Sequence, residues 1–316
     1  MANLLVSSSP HRRGTASTQR IMLDVLIALV PALVAGTVIF GLRVLLLAAV
    51  CVASCVLFEY LSRKIMKRSN SISDLSAAVT GLLLALNLPA NIPLWMAVFG
   101  CLTAIVAVKQ FFGGLGQNFV NPALAARIIL LLCFASAMTS FPAPVIGSAD
   151  GVTGATPLVS LNGGNTDSMP SLLDMFLGLR GGSCGETCAL ALIVGGIYLM
   201  IRRVIAPTIP VIFVSAVFLF TLLVSGSAEI ALYHVLSGGL LLGAIFMATD
   251  YVTSPVTTRG KVIYALGCGL ITSVIRLYGS LPEGVSYSII LMNIFTPLID
   301  KLTVKKTFGA KKEASK

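Results

Sequence analysis

The segment Arg20-Ile-Met-Leu-Asp-Val-Leu-Ile-Ala-Leu-Val-Pro-Ala-Leu-Val-Ala-Gly-Thr-Val-Ile-Phe-Gly41 contains one carboxylate and no other charge after its first residue. About 20 apolar residues, rising about 1.5 Å each in a helix, cross the ~30 Å hydrocarbon core of a bilayer. In lipid the backbone must satisfy its own polar groups, which leaves helices or closed barrels. The apolar residues run continuously instead of alternating, so this segment reads as a helix. The run is too long for a signal peptide and lacks a convincing cleavage site, so it is expected to stay as a first membrane helix.

The rest of the chain repeats the pattern. It is 56% hydrophobic and 11% charged, with a mean hydropathy of +0.95; soluble domains carry about 25% charged residues. An ordinary globular protein is excluded. Further apolar segments lie at Val44–Ser62, Asp74–Leu88, Leu94–Phe112 and Pro122–Met138. A polar stretch, Thr139–Ser183, separates them from Gly185–Ile201, Thr208–Ser225, Glu229–Thr249, Lys261–Gly279 and Val285–Ile299. The expected fold is an all-α polytopic membrane protein with ten transmembrane helices. Residues 1–139 form a first five-helix repeat with a polar tail, 140–183 a loop, and 184–316 a second five-helix repeat with a basic tail.

A net charge of +10 raises the question of a nucleic-acid partner, and the distribution answers it. Followed from a cytoplasmic N-terminus, nineteen basic residues fall on the inner side and only Arg43, Arg180 and Arg276 on the outer side. This positive-inside bias fixes ten spans with both termini cytoplasmic and the central loop extracytoplasmic. No RNA-binding or zinc signature accompanies the charge, and no nucleic acid is expected. Five spans per half place the two halves in opposite orientations, as two inverted repeats. The third and eighth spans are interrupted by small or polar residues, Ser76, Thr80, Gly81 and Asn87 in one and Ser237, Gly238, Gly239 and Gly243 in the other. Such interruptions mark ligand sites at repeat interfaces or close helix packing.

Three polar clusters stand out. The first, Asp150-Gly-Val-Thr-Gly-Ala-Thr-Pro-Leu158, has a turn-forming composition. The second, Gly178-Leu-Arg-Gly-Gly-Ser-Cys-Gly-Glu-Thr187, opens the sixth span. A glycine-rich helix entry offers N–H groups to an anion, with Arg180 adding positive charge, while Ser183 and Glu186 have the spacing of a capping box. The third, Gly113-Gly-Leu-Gly-Gln-Asn-Phe-Val-Asn-Pro-Ala123, lacks the spacing of a dinucleotide fingerprint. Asn118 and Asn121 can donate to and accept from a heterocycle edge, or cap the fifth span. Asp24 and Glu59 have Arg20 and Arg63 as sequence neighbours, no ion relay can be traced, and His234 and the seven cysteines read as structural.

The first cluster resembles the flavin-attachment motif of Rnf complexes and Na+-translocating NADH:quinone reductases, an acidic residue followed three positions later by Ser/Thr-Gly-Ala-Thr. The third resembles a stretch of the Rnf D and reductase B subunits that lies at a non-covalent riboflavin site. The resemblance covers most of the chain, and 316 residues with short tails fit the D subunits better than the longer B subunits. It implies FMN joined by a phosphoester to Thr156, within a motif of Asp150, Thr153, Gly154 and Ala155, attached by a separate flavin transferase. It implies riboflavin at Asn118 and Asn121, with Arg180, Ser183, Glu186 and Thr187 on the same face as the FMN. The implied setting is a bacterial or archaeal plasma membrane, with the A, B, C, E and G subunits of an Rnf complex as partners. There electrons pass between ferredoxin and NAD+ as Na+ or H+ is translocated. A rival reading is a urea-transporter-like solute channel, which shares the inverted five-span repeat but needs no Thr-Gly-Ala-Thr loop.

A reporter fused after Lys316 is expected to be active in the cytoplasm, and one inserted near Asn165 only outside it. The opposite pattern overturns the charge-derived topology.

Overall fold

The computed structural model describes residues 17–69, 71–144, 153–154, 158, 161, 170–279 and 283–304. The main helices are α1 (Thr18–Phe40), α2 (Arg43–Ile65), α3 (Ser76–Leu86), α4 (Leu94–Gln110), α5 (Pro122–Cys133) and α6 (Ala189–Ile201). They continue with α7 (Thr208–Ser225), α8 (Ala228–Leu236), α9 (Leu240–Met247), α10 (Thr258–Tyr278) and α11 (Val285–Thr303). Each expected apolar segment contains a helix. Local chemistry sets several ends. Ser17 caps α1 by accepting from the Arg20 N–H, Asn121 and Pro122 open α5, Thr257 caps α10, and left-handed Gly226 stops α7.

Length separates these helices into two groups. Among the described residues, α1, α2, α7, α10 and α11 are long and apolar enough to cross a membrane, and α8 with α9, bent by 64°, makes a sixth span. The helices α3, α4, α5 and α6 are shorter; the 11 residues of α3 cover only about 17 Å. The reason is visible at its end. Nearly all of α3 is buried, so its last carbonyls meet protein instead of lipid. The Gly185 N–H donates to Leu86 O at 2.8 Å and the Cys184 N–H to Leu88 O at 3.0 Å. Non-helical backbone inside a membrane protein is tolerated where protein covers it in this way. The segment expected to start the sixth span at Gly185 therefore folds over the end of α3, and α6 begins at Ala189.

Packing pairs the two halves. The helix α1 lies on α6 and α5 on α11, while α2 packs on α3 and α4, and α7 on α8 and α10. Gly195 of α6 lies against the Ala28 carbonyl of α1. A Cβ at Gly81 would come within 2.8 Å of the Cys51 carbonyl, so this interruption of the third span serves close packing between α2 and α3. One feature departs from the all-helical expectation. Phe141–Pro142 pairs antiparallel with Thr153–Gly154, with Phe141 opposite Gly154 and Pro142 opposite Thr153.

Two expected charge partners are replaced. Asp24 accepts from Arg202 and Tyr198, not from Arg20. Glu59, fully buried, pairs with Lys109 at 2.9 Å and accepts from Ser71 and Gln110, while Arg63 donates to Ser69 O. Sequence spacing of four puts Arg20 and Arg63 within reach of Asp24 and Glu59, but both carboxylates take their cation from another helix or its end. All seven cysteines are free thiols.

Candidate functional site

Two polar sites lie within the bundle. The first is a cleft between α1, α3, the glycine-rich loop before α5, the end of α6 and the turn after α9. Its walls are largely apolar, with Ser76, Lys109, Asn118, Asn121 and Asp250 among the polar exceptions. Asn121 is committed to structure. Its Oδ1 accepts from the Ala123 and Leu124 N–H groups and its Nδ2 donates to Met247 O at 3.3 Å. Asn118 is freer, donating to Val120 O at 3.0 Å. Lys109 is held by Glu59 and by the Ser76 hydroxyl at 2.6 Å. Burial pushes the Asp250 carboxyl above its usual range, against donors at Val252 and Thr253.

The second site surrounds the bend between α8 and α9, at Ser237-Gly238-Gly239. Arg180 and Arg276 are buried here and fill the carbonyls freed at the end of α8. Arg180 donates to Leu236 O and to Glu186 O, and Arg276 donates to His234 O and to Ser237 O. Burial pulls the Arg180 guanidinium down to about 10, with Glu186 and Glu283 opposing the shift. Arg127, counted among the cytoplasmic charges, instead reaches this cluster from within α5. It pairs with Glu283, lies 3.8 Å from Glu186, and donates to Asn87 Oδ1 and Ser286 Oγ at 3.2 Å each. Desolvation pushes the Glu283 carboxyl up to about 7, against the pull of Arg127.

The expected residues of the second cluster all arrive here, with altered roles. Glu186 Oε1 accepts from the Ser183 N–H at 3.0 Å, which is half of a capping box, but the Ser183 hydroxyl has no partner. No helix starts at this point for it to cap. Thr187 is buried and its hydroxyl is also unpartnered. Arg180 bonds carbonyls and offers no free surface charge. Of the attachment motif, Thr153 and Gly154 form the short strand, while Asp150, Ala155 and Thr156 lie outside the described residues. Leu158 is buried. A Cβ placed on Gly238, whose φ is +63°, would meet Leu158 Cδ1 at 2.8 Å and an Arg276 nitrogen at 3.0 Å.

Sequence reasoning missed Arg127, Arg276 and Glu283. The signal for the two arginines was a charge placed inside or at the end of an apolar run, the usual mark of a buried functional group. It also missed a connection. Asn121 donates to Met247 O, Asn87 to Met247 Sδ at 3.4 Å, and Arg127 to Asn87. A polar line thus joins the cleft to the bend.

Removing Arg127 leaves the buried Glu186 and the half-buried Glu283 without their nearest cation, a loss of about 3–5 kcal/mol. Arg127→Leu is expected to lower the unfolding temperature in detergent sharply, and Arg127→Leu with Glu283→Gln to recover part of the loss. Equal melting of wild type and Arg127→Leu contradicts this account of the cluster.

Comparison with known proteins places the chain. The NQR2, RnfD, RnfE family model matches residues 5–309. The D subunit of the Na(+)-translocating ferredoxin:NAD(+) oxidoreductase complex of Acetobacterium woodii is 53% identical, over 99% of this chain and 98% of its own. Its counterpart in the proton-translocating ferredoxin:NAD(+) oxidoreductase complex of Clostridium ljungdahlii is 42% identical, over 97% and 96%. The D subunit of the ion-translocating oxidoreductase complex of Stutzerimonas stutzeri is 38% identical, over 93% of each. Family match and relatives alike run nearly end to end, and the chain belongs to the NQR2, RnfD, RnfE family as an RnfD member.

Proposed function

We propose that this chain is the membrane-embedded RnfD component of an Rnf-type ferredoxin:NAD+ oxidoreductase, with FMN on Thr156 and riboflavin in the cleft at Asn118 and Asn121. The observation that carries the reading is the nearly full-length likeness to RnfD proteins, combined with the attachment motif that ends at Thr156. Bound flavins supply reversible electron transfer. The chain's own residues supply position. The backbone of Thr153–Gly154 is held on Phe141–Pro142, and Leu158 is buried beside Gly238. Thr156 therefore lies two residues from an anchor on either side. At the cleft, Asn118 has a carbonyl oxygen to offer a ring N–H, and Leu83, Phe246 and Val79 keep water from its face.

In this reading ten helices cross or enter a bacterial plasma membrane, with both termini cytoplasmic and the Thr156 loop extracytoplasmic. The pairing of α1 with α6 and α5 with α11 supports two inverted repeats. Partners are the A, B, C, E and G subunits of the Rnf complex, with a flavin transferase during maturation. The transported cation is Na+ or a proton, the ions in the names of the two Rnf relatives.

Covalent flavin survives denaturation, so the chain co-expressed with its transferase is expected to fluoresce on a denaturing gel. Thr156→Val should abolish the band's fluorescence and Thr153→Val should spare it. A dark wild-type band, or a glowing Thr156→Val band, removes the chemical basis of the reading and favours a solute channel.

The cleft needs a separate test because Asn121 caps α5, and losing a cap costs about 1 kcal/mol. Asn118→Leu with Asn121→Ser keeps a capping hydroxyl and removes both amides. Loss of two hydrogen bonds should weaken non-covalent flavin about tenfold or more, with covalent flavin unchanged. Undiminished non-covalent flavin after dialysis would leave the loop only a structural role.

A further inference from the structure

An apolar groove runs between α6 and α7, backed by the buried Leu241 and Ile245 of α9 and bounded by α8. Ile197 of α6 and Val211 of α7 line it and are exposed. Val211, Val214 and Phe218 recur on one face of α7, so the lining follows that helix for about 10 Å. Because α7 is long and apolar enough to cross a membrane, this face meets hydrocarbon. Helices that pair in lipid use small residues and interhelical hydrogen bonds. The groove offers neither. Ser215, its one polar side chain, donates to Ile212 O within α7 at 3.1 Å, and Gly196 is packed against Ile245. Aliphatic walls with no open donor suit a hydrocarbon chain.

The charge at one end of the groove narrows the class. Met200 at the end of α6 and Pro210 at the start of α7 are both lining residues, and the turn between them carries Arg202 and Arg203. Arg202 is spent on Asp24. Arg203 is exposed, and among the described residues its guanidinium has no hydrogen bond or ion pair. The turn is a Schellman motif, in which the Val204 N–H donates to Leu199 O at 2.9 Å and the Arg203 N–H to Met200 O at 3.0 Å. That motif sets Arg203 at a φ of +56°, the left-handed position that glycine takes most easily. Strained residues of this kind cluster where a side chain is used. The bond to Met200 also roots the free guanidinium at the end of the groove.

We propose that the groove seats one acyl chain of an anionic phospholipid, whose phosphate pairs with Arg203. Guanidinium and phosphate form strong charge-assisted hydrogen bonds, and basic sites between membrane helices near a bilayer surface hold anionic headgroups. The chain would lie against Ile245, while the next residue, Phe246, lines the cleft on the other side of α9. The proposal needs only a membrane-spanning α7 and does not depend on the flavin assignment.

The full-length protein, purified in detergent with any partners it retains, is to be titrated with phosphatidylglycerol and with phosphatidylcholine of identical acyl chains, and bound lipid counted by native mass spectrometry. Wild type should hold one phosphatidylglycerol about fivefold more tightly than phosphatidylcholine. Arg203→Gly suits the left-handed backbone, so it should fold as well as wild type and lose that preference, while Arg203→Lys should keep most of it. Val214→Trp fills the groove and should lower retention of both lipids. Equal affinity for the two lipids in wild type, or an undiminished preference in Arg203→Gly, overturns the proposal. Unchanged retention in folded Val214→Trp does so too. A benzophenone photo-cross-linker placed at Ser215 and irradiated in native membranes should give an adduct of lipid mass. A cross-link to another protein, or within the chain, would give the groove to that segment and overturn the lipid seat.

Discussion

The guanidinium of Arg127 has to be neutralised inside the bundle, and much of the architecture is arranged around that need. A buried ion is costly unless its partners are close and its hydrogen bonds are complete. Arg127 draws those partners from separate parts of the chain. Asn87 follows α3, Glu186 lies in the segment before α6, and Glu283 and Ser286 stand at the start of α11. None of these can slide without uncovering a charge, so the electrostatics set the register between the two halves. The brevity of α3 and the late start of α6 follow from the same meeting point, since helices continued through it would collide.

The bend between α8 and α9 is the second consequence. A broken helix leaves carbonyls at the end of its first half, and in many transporters such carbonyls coordinate the transported cation. Here Arg180 and Arg276 bond to the carbonyls of His234, Leu236 and Ser237. The place is filled by cations that belong to the protein. Any mobile cation would have to displace a guanidinium. The break therefore has the backbone form of a cation site, with the protein's own guanidinium groups in the cation's place.

Apolar runs were enough to place a helix in each expected segment, and Thr208–Ser225 matches α7 at both ends. The start of α5 was also legible, because Asn121-Pro122 is a local cap signal. What failed to read out depended on neighbours distant in sequence. Hydropathy reports that α3 is apolar, but not that protein surrounds it, so its span was set too long. Glu59 was matched to Arg63 by proximity in sequence, yet its burial required Lys109 from α4. Arg127 was assigned to the nearer loop, although a long side chain within a short helix reached groups on the far side. The residues expected near the second cluster did converge, but as a folded plug over α3 instead of a helix entry. The family itself was legible from two short motifs.

The two sites share one helix. Asn121 caps α5 at the cleft and bonds α9 through Met247 O, while Arg127, six residues further along α5, pairs at the bend. Six residues of helix span about 9 Å. Asn87 closes the gap by contacting both Met247 Sδ and Arg127. A ligand in the cleft that competes for the Asn121 amide would release α9 from α5 on one side. The break that ends α8 lies at the other end of α9, which is only eight residues long. Coupling of this kind needs no long wire, only a short rigid element held at both ends by polar contacts. In this fold α9 is that element, tied to the cleft by Asn121 and leading directly from the bend at Gly238, against which Leu158 and Arg276 pack.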